Sequence, residues 1–420
     1  MTILLLTQGS RGDVQPMVAL AQRLAQSGYT VTLGAPPEFA HLAEAYDIAF
    51  RPVGISISER LKSEDGKAAL QSGNIFRRIR FVRQLQREMA NKVSHESWQV
   101  AQGADAILYW TGMIAGYTVA EKLGIPCAEV APFPARPTRA FSPFLIGDGK
   151  DRGPYLNRLM WKVNTQIIWQ LVRHGVNQQR RMLELPPFSL FGPHQVQTKV
   201  PVFHAYSPAV VPRPADWPKQ AYVTGFFFTE APSNWQPPER LRHFLEEGAP
   251  PVYIGFGSMP DPTAETTRDL IIQALTRTNQ RGVVQRNLIG DGALPHTIQA
   301  VDNIPHSWLF PRMATVVHHG GAGTTAMALR SGIPSIIKPV SGDQPAWARQ
   351  VQRLGVGPAP LPRKGMCAEH LADAIMITLN DAKMRQRASE LGRRLRAEDG
   401  LQQTTELFTR HITAHSNGRP

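Results

Sequence analysis

The run Val316-Val317-His318-His319-Gly320-Gly321-Ala322-Gly323-Thr324-Thr325 carries the densest chemistry in the chain. An apolar strand ends in two histidines, three glycines let a ligand approach the backbone, and two threonines open an apolar helical pattern. Free amide N–H groups at a helix start, with hydroxyls and an imidazole beside them, can hold a diphosphate. Glycine content alone fits an empty β-α turn equally well, and the His-His and Thr-Thr pairs on either side tip the reading towards phosphate. The loop Gly9-Ser10-Arg11-Gly12-Asp13 near the amino terminus has the same build, which makes Ser10, Arg11 and Gly12 a second candidate phosphate loop.

These loops need strands to launch them and helices to receive them. Ile3 to Leu6 reads as a buried strand; the helix after the first loop carries Met17, Leu20, Ala21 and Leu24 at i, i+3, i+4 and i+7. Pro16 suits its first turn and Gly28 the position just past its end. Tyr29 to Leu33 and Ala106 to Tyr109 continue the sheet. A second strand, glycine loop and helix begins at Val252 to Ser258 and runs on from about Glu265 to Leu275, with further strands at Thr315 to His318 and Ser335 to Lys338. The fold class is therefore α/β, with two Rossmann-like domains whose parallel sheets face each other across a cleft. The expected division is residues 1–210, a proline-rich connection over 211–238, a second domain over 239–395 and a helix over 396–420 able to pack back on the first domain.

Composition narrows the function. The chain has 420 residues, 42% apolar and 19% charged, enough for two or three domains and unlike disordered or collagenous sequences. A net charge of +13 favours anionic partners. The arginines are spread over both halves and form no single-strand platform, so nucleic acid is not expected as a partner. Cys127 and Cys367 are far apart and build no disulfide framework, which fits a reducing cytosol. No run reaches the roughly 20 apolar residues of a spanning helix, so any membrane contact is peripheral. Neither glycine loop spells the G-x-G-x-x-G of a dinucleotide-binding oxidoreductase with an acidic residue about 20 positions on.

From Asn303 to Gln344 the chain resembles the donor-sugar box of GT-B-fold nucleotide-sugar glycosyltransferases, most nearly the sterol 3-β-glucosyltransferases and the bacterial enzymes that glycosylate polyketides and glycopeptides. The matching pieces are Ile304-Pro305-His306-Ser307-Trp308-Leu309-Phe310-Pro311, His319-Gly320-Gly321-Ala322-Gly323-Thr324 and Ser341-Gly342-Asp343-Gln344. Further likeness lies in Gly9 to Pro16, Pro137 to Phe141, Val211 to Pro214 and Arg396-Ala397-Glu398-Asp399-Gly400, so it spans nearly the whole chain.

By that resemblance Trp308 lies near the nucleotide base, an indole face being a stacking platform. His319, Gly321, Gly323 and Thr324 hold the pyrophosphate with Ser258, and Asp343 and Gln344 bond the sugar hydroxyls. Asp13 stands where many relatives carry histidine, and its carboxylate accepts the acceptor hydroxyl's proton. Asp13 is equally suited to cap its helix, and a helix start favours its ionised form. The resemblance implies inverting transfer of a hexose, glucose foremost, from a UDP-sugar to a hydroxyl of a hydrophobic acceptor such as a sterol. The alternative is a macrolide, polyketide or glycopeptide aglycone with a UDP- or dTDP-sugar.

Some positions depart from the family pattern. Met327 replaces the ribose-binding glutamate of plant small-molecule enzymes, Gln285 to Gly292 replaces a Gly-Trp-Gly-Gly turn, and Ala346 replaces an aromatic residue. No resident cofactor or essential metal is expected: no Asp-x-Asp occurs, and His318 and His319 point to opposite sides of a strand. Phe133, Phe141 and Phe144, with Trp161 and Trp169, are candidates for an apolar acceptor wall, although aromatics also serve as core. Over Ile75 to Met89, Ile75, Ile79, Val82, Leu85 and Met89 share one helical face among five arginines. Such a helix either completes a core or docks on an anionic membrane. The expected assembly state is a monomer or weak oligomer.

Overall fold

Short apolar strands separated by helices build two sheets, both parallel throughout the described residues. The computed structural model describes residues 1–56, 59–60, 63–66, 75–192, 199–232, 234–257, 264–290 and 292–417.

The first domain runs β1 (Thr2–Leu6), α1 (Arg11–Gln26), β2 (Thr30–Ala35), α2 (Ala40–Glu44), β3 (Ala49–Pro52), α3 (Ile75–Val100), β4 (Ala106–Trp110), α4 (Ala115–Leu123), β5 (Cys127–Ala131), α5 (Pro154–Met182), β6 (Val202–His204) and β7 (Ala221–Val223). Its strand order is β3-β2-β1-β4-β5-β6-β7. The second domain runs α6 (Glu239–Glu246), β8 (Val252–Gly255), α7 (Ala264–Arg277), β9 (Gly282–Gln285), α8 (Arg286–Ile289), β10 (Ile298–Val301), α9 (His306–Leu309), β11 (Thr315–His318), α10 (Ala322–Ser331), β12 (Ser335–Ile337), α11 (Gln344–Arg353), α12 (Ala368–Asn380) and α13 (Ala382–Arg396). Its strand order is β10-β9-β8-β11-β12. Both orders reverse direction beside the first strand of the domain, at β1/β4 and at β8/β11. Loops leaving the carboxyl ends of strands diverge there and open a crevice. Asp13 and Trp110 flank the first crevice, and His319 the second.

Three expectations shift. Helix α1 starts at Arg11, so Pro16 falls in its second turn rather than its first, and the Gly12 carbonyl loses its usual amide partner. The connection expected over 211–238 contains β7, a strand of the first sheet only three residues long and therefore too short to show a period. The prolines before it frame a loop gathered by Arg213, whose guanidinium donates to the carbonyls of Ala221, Pro214, Trp217 and Pro218. The helix expected over 396–420 begins only at Gly400, as α14 (Gly400–Asn417), parted from α13 at Ala397-Glu398-Asp399. Helix α14 lies on the first domain: Phe408 and Ile412 are buried with Leu20 and Leu24 of α1, and Asp399 pairs with Arg23 at 2.9 Å.

The domains also meet through Gln15 and Thr229 (2.7 Å), Arg349 and Asp148 (2.8 Å), and Ser207 and Glu398 (2.7 Å). One apolar cluster spans both, with Phe144 and Tyr206 from the first domain around Trp347 of the second.

Candidate active site

Asp13 is the third residue of α1 and reaches back to the start of its own helix. Its Oδ2 accepts from the Ser10 amide at 2.8 Å and the Ser10 hydroxyl at 3.0 Å, and its Oδ1 accepts from the Trp110 indole N–H at 3.0 Å. Capping is thus real, yet incomplete as an account: a carboxylate offers about four lone-pair positions and three are taken. The remaining capacity is on Oδ1. Burial raises the Asp13 pKa, opposed by the Ser10 amide, the Trp110 indole and the Ser10 hydroxyl. Desolvation therefore outweighs the helix start, and the group is a stronger base than its capping position implies.

Asp343 faces it from the other domain. It precedes α11, its Oδ2 accepts from the Trp347 indole N–H at 2.8 Å, and its pKa is pushed up to about 6, by burial first and by the Asp13 charge as a lesser cause. Each cleft carboxylate is thus held by an indole. Neither Trp110 nor Trp347 figured as a site residue in the sequence. Trp347 was detectable at i+4 from Asp343 on a helix start. Trp110 shows its role only once β4 lies beside β1.

Gln344 is buried and its side-chain oxygen accepts from the Val340 and Ser341 amides at 2.7 and 3.1 Å. It therefore offers only its NH2 group, while Asp343 supplies the acceptor.

The residues expected to hold the diphosphate lie at the strand end before α10 and in the first turn of that helix. Gly321 is its N-cap with no side-chain cap, and Thr325 N is the first amide to bond back, to Gly321 O at 2.9 Å. The amides of Ala322, Gly323 and Thr324 precede that bond and lack intrahelical partners. Gly320 has φ +91°, and a Cβ there would lie 2.7 Å from Ile337 Cγ2. A Cβ at Gly321 would lie 2.6 Å from His319 Nε2, so the imidazole sits against bare backbone. Burial lowers the His319 pKa to about 4, and its buried Nδ1 has no protein partner. At neutral pH His319 thus acts as a neutral N–H donor rather than a cation. His318 lies fully buried in the core and accepts from the Gly320 amide at 3.1 Å, so the pair does diverge. Among the described residues no three His, Cys, Asp or Glu side chains cluster as metal ligands.

Arg11 is the candidate cation of the first loop. Burial lowers its pKa, its Nε donates to Gln15 Oε1 at 3.1 Å, and its charge is felt by the half-buried His306 of the second domain. No ion pair ties Arg11 to a carboxylate among the described residues. Ser10, by contrast, spends its amide and hydroxyl on Asp13, and the Gly12 side of the helix start is exposed. In this loop the amides of Arg11 and Gly12 precede the first helical bond, from Asp13 N to Ser10 O at 2.9 Å, so the donors left to an anion are backbone rather than Ser10.

Other candidates resolve differently. Trp308 is half-buried, with the Arg312 guanidinium over its ring at 4.4 Å and Trp235 edge-on at 5.4 Å. Phe144 is buried edge-on against Trp347 at 5.3 Å and against Phe141 at 5.9 Å, which makes it an interdomain contact instead of an open wall. Phe133 and Phe141 pack partly buried on the same cluster. Trp161 and Trp169 are buried and donate to the carbonyls of Phe141 and Leu190. Ser258 lies outside the described residues, as do the side chains at 75–79, 82, 83 and 86 of the basic helix; Leu85 and Met89 are half-buried.

The raised Asp343 carboxyl predicts a pH dependence. Its folded-state value lies above the ordinary 3.8, so the native state holds the proton more firmly than the unfolded chain. That stabilisation is fully present below the unfolded value and is lost as pH rises through about 6. Relative to the unaltered chain, Asp343→Asn is expected to gain on the order of 1–3 kcal/mol between about pH 4 and pH 7, read from paired urea melts. Parallel stability curves would refute the assignment.

Comparison with known proteins gives the following. Residues 3–142 match the glycosyltransferase family 28 N-terminal domain, and residues 270–404 match the C-terminal domain of erythromycin biosynthesis protein CIII-like sequences. A sterol 3-beta-glucosyltransferase of Arabidopsis thaliana is 35% identical over 427 residues, covering 98% of this chain and 66% of the plant protein. The chain thus spans just under two thirds of that relative. O-mycaminosyltylonolide 6-deoxyallosyltransferase of Streptomyces fradiae is 33% identical and covers 100% of both chains. The crystal structure of the glycosyltransferase of kitacinnamycin superposes with TM-score 0.73 over 98% of this chain and 99% of its own, at 17% identity.

Proposed function

Because this chain belongs to the GT-B glycosyltransferases that include sterol 3-β-glucosyltransferases and bacterial natural-product glycosyltransferases, we propose that it transfers a hexose, glucose foremost, from a UDP-sugar to a hydroxyl of a hydrophobic acceptor such as a sterol. The observation that supports this most directly is the facing of Asp13, beside the first sheet's crevice, by Asp343 and the second domain.

In this reading the acceptor oxygen attacks the anomeric carbon as its proton passes to Asp13 Oδ1. The new C–O bond forms while the bond from that carbon to the diphosphate oxygen breaks, inverting the centre in a single displacement. The departing diphosphate meets the free amides of Ala322, Gly323 and Thr324, the neutral His319 N–H and the Arg11 guanidinium, donors already oriented before charge develops. Asp343 accepts from sugar hydroxyls and the Gln344 NH2 donates to one. The scheme uses no resident cofactor or metal.

A second reading, a macrolide or polyketide aglycone with a UDP- or dTDP-sugar, is favoured by full-length coverage of the Streptomyces relative. The buried Met327, in place of a ribose-binding carboxylate, also loosens the preference for UDP. The test is a grid of UDP-glucose, dTDP-glucose and UDP-galactose against cholesterol, ergosterol, a flavonoid and a macrolide, reading released nucleoside diphosphate and product mass. Turnover in the sterol columns with UDP-glucose is the expected result. Turnover confined to the macrolide column would replace the sterol by the second reading.

A further inference from the structure

Helix α5 buries polar side chains beside Trp161 and Trp169 and leaves an apolar stripe outside. Its buried positions include Asn157, Asn164, Asn177, Gln179 and Arg180, whereas Tyr155, Leu156, Leu159, Val163, Ile167 and Leu171 are exposed. The polar side is committed to the fold. Asn157 donates to the Arg139 carbonyl at 2.8 Å, Asn177 brackets Phe188 through its amide and carbonyl, and Gln179 reaches Ser97 at 3.0 Å. Arg180 pairs with Glu121 and lies over the Phe188 ring. These anchors fix the helix in rotation, so the apolar side cannot turn inward.

The outward stripe is regular. Leu159, Val163, Ile167 and Leu171 recur at i+4 over about 18 Å of helix, and Leu159 and Leu171 are 55% and 63% exposed. Leu190 and Phe191, 51% and 69% exposed, extend the same patch. Their loop is held to α5 by Gln170 and Trp169, which donate to the Leu190 carbonyl at 2.7 and 3.1 Å. Isolated exposed leucines need no explanation, but a contiguous stripe of this kind marks a contact surface.

Charge selects the partner. Over its 29 residues α5 carries Arg158, Lys162, Arg173, Arg180 and Arg181 and no Asp or Glu. Arg158, Lys162 and Arg181 are exposed. A second copy docking by twofold symmetry would bring like cations together, whereas an anionic surface neutralises them. We propose that the exposed stripe of α5, with its flanking cations, docks on an anionic lipid bilayer. The apolar side chains enter the acyl boundary while Arg158 and Lys162 meet headgroup phosphates. No described helix is long and apolar enough to cross a membrane, so the contact lies in the interface plane. Binding itself is independent of the glycosyl-transfer reading.

The test uses the full chain, without donor or acceptor, sedimented with vesicles of phosphatidylcholine alone or mixed with phosphatidylglycerol. Binding to the mixed vesicles, weakening as salt rises, is expected. The Leu159→Ser/Ile167→Ser double variant should bind at least about tenfold more weakly, with an unchanged melting curve because both positions face solvent. Arg158→Glu/Lys162→Glu should remove the preference for anionic vesicles. Absence of binding to either vesicle, or equal binding by the serine variant, overturns the proposal. So does a dimer in sedimentation velocity that the serine variant splits while the unaltered chain ignores vesicles, since the stripe would then belong to a second copy.

Discussion

Replacing Asp13 by asparagine is expected to lower turnover about 100- to 10,000-fold while leaving donor affinity close to that of the unaltered chain. The substitution keeps the volume and removes the proton acceptor. It also sets an amide NH2 against one of two donors, the Ser10 N–H and hydroxyl or the Trp110 indole. A loss of about 1 kcal/mol in stability is therefore expected alongside, partly offset by no longer desolvating a carboxylate. Single-turnover measurement at saturating donor separates the two effects, because a fold defect lowers the active fraction and a lost base lowers the rate constant. Turnover like that of the unaltered chain would leave Asp13 as a cap and nothing more.

Placing aspartate at Gly323 should do the reverse. Nothing lies within 4 Å of a Cβ there, and the residue is exposed in the first turn of α10. A carboxylate at that helix start complements the macrodipole and stabilises by about 0.3–1 kcal/mol. The same charge would oppose a bound diphosphate, and like-charge juxtaposition of several kcal/mol corresponds to roughly a hundredfold loss of affinity or more. The expected pattern in calorimetry and thermal melts is weaker UDP binding in a protein that melts no lower. Unchanged UDP affinity would remove the diphosphate from this helix start.

Much of the architecture was legible because it is written in short stretches. The apolar strands at Ile3 and Val252, the glycine loops after them and the helices that follow each announce themselves within about ten residues. Parallel pairing then follows, since strands joined through helices return in the same direction. Strand β7 and the start of α14 at Gly400 are not legible in the sequence, because three residues carry no period and Ala397-Glu398-Asp399 contains no strong helix breaker. The outward face of α5 is a subtler case. Its apolar periodicity is plain, but periodicity says only that one side differs from the other. Burial of the opposite, polar side follows from Ser97, Phe188 and Glu121, which come from distant segments.

By itself, then, the sequence determined two α/β halves, the positions of their glycine loops and which candidate groups stand beside those loops. These are local properties, set by side-chain period, turn chemistry and residue type. Only the tertiary structure decided that Trp110 and Trp347 each hold a cleft carboxylate, that Phe144 joins the domains rather than lining an open wall, and that Arg312 lies over Trp308. It also decided the protonation of the site, with Asp343 raised and His319 lowered. The physical reason is that desolvation and long-range hydrogen bonds depend on which chain segments meet, and strand order across the sheet, rather than nearness along the chain, sets those meetings.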